Sequence, residues 1–384
     1  MEFTTVGEIN EYLSESINPL LEPDTIFEVY SVPIYDTGHP EYLSGKEIGS
    51  TKQIVQKDDI LLCKINPRIN RVWIVSDESE QKSIASSEWI VIRNHSYNPQ
   101  YLAWYFRSEL FKSLMVSEVT GIGGSLTRAQ PKRVATYPVP VLDRHEQNGI
   151  VERLNRLHSV IQYRMMQLQK LDELVKARFV EMFGDVLQNT HKWGIQNVGD
   201  VAESVDPQPS HRTPPIDESG VPYVSIKDCN YATGEIDFDG ARKVGRYVLE
   251  EHRARYKLKN GDMIIGKIGT IGNPIFVPAR DDYTLSANIV LIQPYVDKVS
   301  PYFLKYSLMS AYVERQFDEA KNSTSQAAFG IQKVRAIKIL NPDLTVQYRF
   351  ETFARQVDKS KLSIQASLDQ LETLKQSLMQ KYFG

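Results

Sequence analysis

An internal repeat of about 200 residues constrains the fold of this 384-residue chain more than any other feature. Leu171 and Phe183 recur as Leu371 and Phe383, so both residues shift by 200 positions. Six further matches follow in the same order in both halves, and their offsets drift between 181 and 203, as loop insertions would cause. The repeat predicts two copies of one unit, each a mixed domain followed by a long helix. The other matches pair Val6–Ile9 with Val198–Val201, Tyr42–Glu47 with Tyr223–Asp228, Asp59–Ile65 with Asp262–Ile268, Ser86 with Ser286, 98–106 with 300–308, and Gln147 with Gln347.

Two long amphipathic helices are predicted, from about 144 to 183 and from about 345 to 383. Apolar residues recur there mostly at steps of three and four, and neither stretch contains proline. A helix of about 40 residues would be roughly 60 Å long, so its apolar stripe needs a partner. That partner is either the other helix or the helix's own domain. The stripe residues expected to pack are Leu154, Ile161, Leu168, Leu171, Val175, Phe350, Val357, Ile364, Leu368, Leu371 and Leu378.

The other segments are predicted to be mixed domains, which makes the fold class α+β. Short β-branched runs such as Ile60–Ile65, Trp89–Ile92 and Met263–Ile268 predict strands. Amphipathic stretches at Gln100–Met115 and Pro301–Phe317 predict helices. The expected layout is a first mixed domain at 1–143, a central helix at 144–184, a second mixed domain at 185–343 and a C-terminal helix at 344–384.

Composition excludes several classes of protein. The only two cysteines, Cys63 and Cys229, are far apart and outside any Cys/His cluster, which excludes a disulfide framework and a cysteine-rich zinc site. The first residues lack the pattern of a signal peptide, and no apolar stretch approaches the length of a membrane helix. We therefore expect a soluble, cytoplasmic protein. The net charge of −3 means that a nucleic-acid binder of this composition would gather its bases on one face.

The sequence contains no complete catalytic motif. Gly261–Lys267 is close to the phosphate-binding P-loop pattern, but Ile268 stands where Ser or Thr would hold magnesium. We interpret Gly261-Asp262 as a turn that opens a strand. The seven histidines show no metal-ligand spacing, and the paired acids Asp58-Asp59 and Asp281-Asp282 lie at non-equivalent positions of the two copies. These observations argue against an enzyme and against a cofactor or metal site in this chain.

Because the sequence argues against an enzyme, we interpret the chain as a binding protein. A basic run from Arg242 to Lys259, which includes Tyr247 and Tyr256, can neutralise phosphates and place aromatic rings on sugars or bases. A solvated helix face is the alternative. Polar loops at 120–128 and 321–326 permit close approach to phosphates and base edges, with an ordinary flexible loop as the alternative. The candidate DNA-contacting residues are Lys46, Lys64, Arg68, Arg71, Ser125, Arg128, Lys132, Lys227, Arg242, Lys243, Arg246, Arg253, Arg255, Lys257, Lys267, Lys321, Asn322 and Ser325.

Together these features resemble the DNA-specificity subunit of type I restriction-modification systems. The resemblance covers essentially the whole chain and rests on the duplicated plan and on local patterns. These are the Val-Gly-acid-aliphatic openings at 6–9 and 198–201, the Gly-Asp-aliphatic strand at 261–265, and the run 137–151 that enters the first helix. In the second copy this last pattern keeps only Pro342 and Gln347.

The resemblance implies a non-catalytic subunit that binds double-stranded DNA. Each mixed domain would be a target-recognition domain that reads one half of a split, asymmetric site. The two helices would pair as an antiparallel coiled coil and set the spacing of the half-sites. The subunit would recruit two adenine methyltransferase subunits and, through them, the restriction/translocase subunits. S-adenosylmethionine, ATP and Mg are expected on those partners, with no cofactor in this chain and no membrane partner.

Two other functions stay open on the sequence. One is a nuclease or methyltransferase with a cryptic site, which predicts activity from the purified chain alone. The other is a coiled-coil scaffold that binds only protein, which predicts no salt-dependent affinity for DNA.

Overall fold

The chain forms two compact units. Unit 1 contains residues 1–165 and 366–384, and unit 2 contains residues 166–365. The computed structural model describes residues 2–76, 79–117, 127–185, 187–210, 212–231, 233–267, 273–322 and 330–384, without the side chains of 319–322. Each unit mixes helices with short sheets, as the sequence predicts.

The strands of the described residues are short. In chain order they are β1 (Glu2–Thr5), β2 (Ser16–Ile17), β3 (Ile26–Tyr30), β4 (Glu41–Ser44), β5 (Lys52–Ile54), β6 (Ile60–Cys63), β7 (Val72–Ile74), β8 (Lys82–Ala85), β9 (Trp89–Ile92), β10 (Pro138–Val141), β11 (Gly194–Asn197), β12 (Ala202–Val205), β13 (Ile216–Val224), β14 (Lys243–Val244), β15 (Met263–Gly266), β16 (Ile275–Phe276), β17 (Thr284–Leu285), β18 (Ile289–Pro294) and β19 (Lys338–Asn341).

The helices range from one turn to 40 residues. They are α1 (Val6–Ile9), α2 (Pro99–Phe106), α3 (Glu109–Ser117), α4 (Pro131–Val134), α5 (Arg144–Phe183), α6 (Val198–Val201), α7 (Arg246–Arg253), α8 (Pro301–Leu308), α9 (Ala311–Asn322), α10 (Ile331–Arg335) and α11 (Leu344–Phe383). Within the described ranges, 3-10 turns lie at Pro19–Leu21, Tyr35–Thr37, Gly45–Glu47, Pro67–Ile69 and Ile226–Asp228. None of these helices is long and apolar enough to cross a membrane.

Unit 1 is built on a five-stranded sheet of order β2-β5-β8-β3-β4 and a three-stranded sheet of order β7-β6-β9. Unit 2 has a four-stranded sheet of order β12-β18-β15-β16 and a three-stranded sheet of order β14-β13-β17. In each unit the first strand also pairs antiparallel with the strand before a long helix, β1 with β10 and β11 with β19. The two chain segments that bound each mixed region therefore lie side by side.

The central strand pair has the same register in both units. β6 pairs with β9 so that Ile60 lies opposite Ile92, and β15 pairs with β18 so that Met263 lies opposite Ile292. All of these residues are buried. The sequence offsets of 203 for the first strand and 200 for the second place the same residues opposite each other.

A short helix follows the first strand of each unit for a local reason. In α1 the Thr5 hydroxyl accepts from the backbone N–H of Glu8, whose carboxylate accepts from the backbone of Thr5. Asn197 and Asp200 form the same capping box before and in α6. These reciprocal bonds satisfy backbone donors that a helix start leaves free.

One sequence match, of Tyr42–Glu47 with Tyr223–Asp228, is wrong. β3 ends at Tyr30 and runs parallel to β8, whereas β13 ends at Val224 and runs parallel to β17. In both units the serine after the second of these strands donates its backbone N–H to the last residue of the first strand, at 3.1 Å and 2.8 Å. Val224 therefore corresponds to Tyr30 and not to Leu43. The match misleads because both segments end in a serine-capped 3-10 turn.

The two long helices lie where the periodicity predicts them, and each is divided between the units. In unit 1 the Arg153 guanidinium lies 3.5 Å from the Tyr382 hydroxyl. In unit 2 Lys361 Nζ donates to Asp172 Oδ1 at 2.6 Å, and Phe183 packs on Phe350. Later residues of α5 therefore meet earlier residues of α11, so the two segments within each unit run antiparallel.

The predicted stripe residues face the packed side of these helices. Five are buried: Leu154, Ile161, Val175, Phe350 and Val357. The other six are half-buried: Leu168, Leu171, Ile364, Leu368, Leu371 and Leu378. The alternative that each helix packs only on its own preceding domain is wrong for α5, because residues 166–183 belong to unit 2.

The single helices predicted at Gln100–Met115 and Pro301–Phe317 are each two helices. Ser108 interrupts the first, and its hydroxyl accepts from the backbone N–H of Phe111 at 3.2 Å. Ser310 interrupts the second and caps Val313 in the same way at 3.4 Å. A serine that caps a new helix start ends the preceding helix, which hydrophobic periodicity alone does not reveal.

Candidate nucleic-acid interface

Four of the bases predicted in unit 1 meet around one hairpin loop. The loop joins β6 to β7 and carries Lys64, Arg68 and Arg71. Arg128 reaches it from a distant part of the chain, because Ile65 and Arg128 form an antiparallel bridge. We call Lys64, Arg68, Arg71 and Arg128 the unit 1 loop cluster.

The backbone of the loop is tied to two other segments. Lys64 N donates to Glu88 O at 3.0 Å, and Lys64 O accepts from Ala129 N at 2.8 Å. Asn66 N donates to Thr127 O at 2.9 Å. The backbone of the loop is therefore held on both sides.

The side chains of the unit 1 loop cluster differ in how free they are to contact a nucleic acid. Arg128 is exposed, but its guanidinium forms two 3.2 Å bonds with the Glu88 carboxylate. Arg71 is half-buried, and its buried Nε has no hydrogen-bond partner among the described residues. Arg68 is exposed, and within the described part of the chain its side chain has no partner. Arg68 is therefore the exposed base of the cluster that has no side-chain partner among the described residues, since Arg128 is paired and Lys64 is half-buried.

Two other predicted bases of unit 1 lie outside this loop. Lys46 is exposed on the 3-10 turn Gly45–Glu47, where it follows the capping serine Ser44. Lys132 is exposed on α4, just beyond the bridge at Arg128. No described contact joins Lys46 to the unit 1 loop cluster.

The basic run of unit 2 divides into bound and free side chains. Arg242 donates to Pro214 O at 2.5 Å, and Arg253 pairs with Asp281 at 3.4 Å. Arg246, Arg255 and Lys257 are exposed and have no side-chain partner among the described residues. Lys243 is half-buried in β14.

The helix inside this run is not a basic face. α7 buries Val248, Leu249 and His252, and its solvent side carries Glu250 and Glu251 as well as arginines. The two acids offset the two arginines of the helix. Beyond the helix, Arg255 and Lys257 are the bases best able to neutralise phosphate, whereas Lys259 interacts with Asp262.

Of the two tyrosines in the run, one is exposed to solvent and the other is buried. The Tyr247 ring is 58% exposed, whereas Tyr256 is buried. The Tyr256 hydroxyl lies 3.0 Å from Thr284 Oγ1 and accepts from Leu285 N, and burial raises the pKa of Tyr256 to about 12. The expectation that Tyr256 contacts a nucleic acid is wrong, because its ring belongs to the core.

Lys267 is a structural residue. Its ammonium group is buried, lies 2.6 Å from Asp206 Oδ1 and donates to Ala287 O at 2.9 Å. The side chain is thus desolvated and paired, which leaves it unable to contact phosphate. The sequence could not reveal this, because Asp206 is distant in the chain.

Of the remaining candidates, only Lys227 has a side chain within the described residues. Lys227 is exposed on the 3-10 turn Ile226–Asp228. Ser125 and Ser325 lie outside the described residues, as do the side chains of Lys321 and Asn322.

The sequence reasoning missed Asn66 and Asn70, which flank Arg68. Both have left-handed backbone conformations, with φ of +49° and +51°. The pattern Asn-Pro-Arg-Ile-Asn was a usable signal, because Asn is the commonest non-glycine residue in that region and Pro favours a turn start.

A groove occupies corresponding positions in the two units. In unit 1 it lies between the α2–α3 corner and the end of α11, where Ser108 and Met379 line it. In unit 2 it lies between the α8–α9 corner and the end of the α5 segment, where Ser310 and Phe179 line it. These residues correspond at offsets of 202 and 200.

The turn interpreted at Gly261-Asp262 opens β15, and Gly261 has a φ of +95°. Among the described residues no group of three or more His, Cys, Asp or Glu side chains is placed to hold a metal ion.

The fold and this surface define a protein of two α+β units that carry exposed bases on loops. Residues 190–373 match the type I restriction modification DNA specificity domain, so this part of the chain is similar to that family. The resemblance drawn from the sequence is confirmed.

A curated relative supports this similarity. Over 141 residues the chain is 25% identical to the type I restriction enzyme MjaX specificity subunit of Methanocaldococcus jannaschii, a match that covers 35% of this chain and 33% of the relative. The chain thus spans about a third of the length of this curated relative.

Two solved structures share the fold over the whole chain. A chain of a type I R-M system has a TM-score of 0.57 at 18% identity, with 100% of this chain and 97% of that chain covered. The S subunit of a type I restriction-modification system from M. genitalium has a TM-score of 0.56 at 12% identity, with 100% and 96% covered. At these identities the likeness establishes the fold.

Proposed function

We propose that this chain is a non-catalytic, sequence-specific DNA-binding subunit that reads a bipartite, asymmetric site. The observation that carries the proposal is the combination of one buried frame, present in both units, with different exposed side chains. Two related but diverged readers would recognise two different half-sites. Phosphate contacts would position each unit, and base-edge contacts would specify the sequence.

The buried frame of each unit includes one glutamine with the same two contacts. Gln147 accepts from Asn98 N at 2.7 Å and donates to Leu142 O at 2.9 Å. Gln347 accepts from Ser300 N at 3.0 Å and donates to Pro342 O at 2.8 Å. Such agreement at an offset of 200 supports an internal duplication, with pseudo-twofold symmetry of the two copies.

We infer that α5 and α11 pair as an antiparallel coiled coil and set the distance between the half-sites. The antiparallel contacts within each unit and the burial of the apolar stripe support this arrangement. The target-recognition domains would be 1–143 and 185–343, and the coiled-coil helices 144–184 and 344–384.

Shortening the helices tests this ruler role. Removal of one heptad from each helix would shorten the pair by about 10 Å, which corresponds to about three base pairs of duplex. We expect the spacer of the recognised site to shorten while both half-sites stay the same. An unchanged spacer in a folded variant would contradict the ruler role.

The subunit would act in the cytoplasm by recruiting two adenine methyltransferase subunits and, through them, restriction/translocase subunits. S-adenosylmethionine, ATP and Mg would bind to those partners. The grooves at corresponding positions of the two units suit two copies of one partner. Native mass spectrometry of the co-purified complex would report two methyltransferase subunits for each copy of this chain.

Methylation-site mapping tests the main proposal. The chain would be co-expressed with the adenine methyltransferase encoded beside it, and the modified adenines located by single-molecule sequencing. We expect a split motif with an unspecified spacer that disappears when this chain is omitted. A scaffold would copurify with partners yet leave no new motif, and a cryptic enzyme would act on DNA as the purified chain alone.

A further inference from the structure

The hairpin loop between β6 and β7 has an unusual backbone. Asn66 and Asn70 both lie in the left-handed region, with φ of +49° and +51°. Between them, Pro67–Ile69 forms a 3-10 turn, in which Ile69 N donates to Asn66 O and Asn70 N donates to Pro67 O, both at 3.0 Å. Non-glycine residues with positive φ are uncommon, and two of them four positions apart define the loop closely.

The asparagine side chains do not account for this conformation. The Oδ1 atoms of Asn66 and Asn70 are buried, and neither has a hydrogen-bond partner within the described part of the chain. A buried oxygen without a partner costs free energy, as does the left-handed backbone. Such costs persist where the surrounding structure enforces them, and they concentrate at functional sites.

The surroundings do enforce this loop. Its first strand end is held by Lys64 N to Glu88 O at 3.0 Å, and its centre by Asn66 N to Thr127 O at 2.9 Å. Its other end is closed by Cys63 N to Arg71 O at 3.0 Å, and Pro67 is buried. The tip of the turn therefore has little freedom to relax.

This rigid tip presents Arg68 and Ile69 to solvent. Ile69 is 55% exposed, and Arg68 is exposed without a side-chain partner among the described residues. The nearby Arg128, by contrast, is held by Glu88. An unpaired arginine beside an exposed apolar side chain suits the DNA major groove, where arginine contacts guanine O6 and N7 and apolar groups contact the thymine methyl.

We propose that Arg68 is the specificity-determining residue of unit 1 and contacts a guanine of the half-site that this unit reads. Asn66 and Asn70 are positioning residues that hold the turn, and Ile69 lies against the neighbouring base pair. The inference rests on the proposed function. It also predicts that this contact is absent from the other half-site, because the matching stretch 267–272 contains no arginine.

The test uses the complex of the full chain with its methyltransferase. Binding is measured on duplexes in which each base pair of each half-site is replaced in turn. With Arg68→Ala, we expect discrimination at one G·C pair of the first half-site to fall by roughly five- to a hundredfold. Discrimination elsewhere should be unchanged. Arg68→Lys should restore only part of the loss, since lysine lacks the bidentate fork.

Two further variants test the positioning role. Asn70→Gly accepts a positive φ and should keep discrimination at that base pair, whereas Asn70→Ala strains the turn and should reduce it. Arg156→Ala, which removes an exposed base paired with Glu152 on α5, is the matched control for charge and should leave every position unchanged.

Several outcomes would overturn the inference. If Arg68→Ala weakens binding equally on all sequences and lowers the salt dependence by about one phosphate contact, Arg68 binds the backbone. If discrimination is lost in the second half-site, or nowhere, the assignment to unit 1 is wrong. Because Arg68 is exposed, the variant should fold, and Arg68→Gln provides a second test at similar length. A wild-type complex that recognises no split motif would contradict the proposed function itself.

Discussion

Units 1 and 2 pair the same buried carboxylate with different side chains. In unit 1 the Asp59 carboxylate receives two 2.7 Å bonds from the Arg93 guanidinium. In unit 2 the Asp262 carboxylate receives a 2.6 Å bond from the Gln293 amide. Arg93 and Gln293 correspond at an offset of 200. Both carboxylates also accept from the backbone N–H three residues earlier, at 2.9 Å and 2.8 Å.

The two units therefore share the backbone hydrogen bond to the carboxylate but differ in whether its negative charge is compensated. The backbone bond to the carboxylate is the same in both units and caps the turn before the central strand. The partner across the sheet compensates the charge only in unit 1. Burial accordingly raises the pKa of the Asp262 carboxyl, whereas in unit 1 the bond to Asp59 raises the pKa of the Arg93 guanidinium. The frame can therefore be kept while the electrostatics of each unit diverge.

The largest effect is expected from the aromatic residue that ends each long helix. Phe183 packs on Phe303 and Phe350 in unit 2, and Phe383 packs on Tyr101 and Tyr105 in unit 1. Replacing a fully buried phenylalanine by alanine costs about 3–5 kcal/mol. We expect Phe183→Ala to destabilise unit 2 and Phe383→Ala to destabilise unit 1, as measured by hydrogen exchange with mass spectrometry.

The matched controls for this pair are Leu174→Ala and Leu374→Ala, which are also related by 200 positions. Their side chains are 47% and 49% exposed, so each change should cost below about 1 kcal/mol. If Phe383→Ala weakened unit 2 instead, the division of the helices between the units would be contradicted.

The carboxylates provide the sharpest test of the difference between the units. Asp59→Asn removes the buried partner of an ion pair whose arginine is partly exposed, and it should cost up to about 3–5 kcal/mol in unit 1. Asp262→Asn removes a charge that burial disfavours and can keep its hydrogen bonds, so its cost in unit 2 should be below about 1 kcal/mol. Chemical denaturation followed by tryptophan fluorescence reports mainly on unit 1, which contains Trp73, Trp89 and Trp104, and hydrogen exchange reports on unit 2.

The pH dependence has a defined sign. A carboxyl with a raised pKa in the folded state destabilises the fold as pH rises through its ordinary range near 4. The stability of wild type relative to Asp262→Asn should therefore increase as the pH falls through that range. An equal loss for both asparagine variants at neutral pH would show that charge compensation does not distinguish the units.

The paired glutamines test what the units have in common. Gln147→Ala and Gln347→Ala each leave one backbone N–H and one carbonyl without a partner, at Asn98 and Leu142 or at Ser300 and Pro342. We expect each change to cost about 2 kcal/mol in its own unit. Hydrogen exchange of the segments around Asn98 and Ser300 measures the two losses. A large loss in one unit with none in the other would contradict an equivalent frame.

The smallest effect is expected from His252, the only buried histidine among those described. Its Nδ1 lies 2.6 Å from Thr284 Oγ1, and burial lowers its pKa. The unfolded chain takes up a proton near pH 6.5 before the folded chain does, so unit 2 should lose stability as the pH falls below that value. Hydrogen exchange, corrected for its intrinsic pH dependence, should show this loss in unit 2, beside a separate loss in unit 1 from His158, whose pKa burial also lowers. His252→Gln should abolish the loss in unit 2, and His145→Gln, at an exposed site of unit 1, should not.

Patterns along the chain were sufficient to predict the two long helices and the central strands. Their apolar residues recur with a period set by the local backbone, and a repeat reports each pattern twice. The offsets also related Gln147 to Gln347 and Asp59 to Asp262 before any contact was known. Where a pattern was short and common, as in Tyr42–Glu47, the match was wrong.

The arrangement of the candidate DNA-contacting residues could not be predicted from local sequence patterns, because it depends on long-range contacts. Lys64 and Arg128 meet because a bridge joins segments more than 60 positions apart. Lys267 and Tyr256 carry the same residue types as exposed candidates, yet the fold buries both. Accessibility is a property of the packed chain, because distant segments decide which side chains water and a ligand can reach.

The sequence by itself was sufficient to predict an α+β chain with two long helices and its resemblance to type I specificity subunits. Only the tertiary structure decided that α5 and α11 each belong to both units, and that Arg68 stands at the tip of an enforced turn. The physical reason is that periodicity describes neighbouring residues along the chain. The residues that pack against half of a long helix, or that bind a buried carboxylate, come from distant segments.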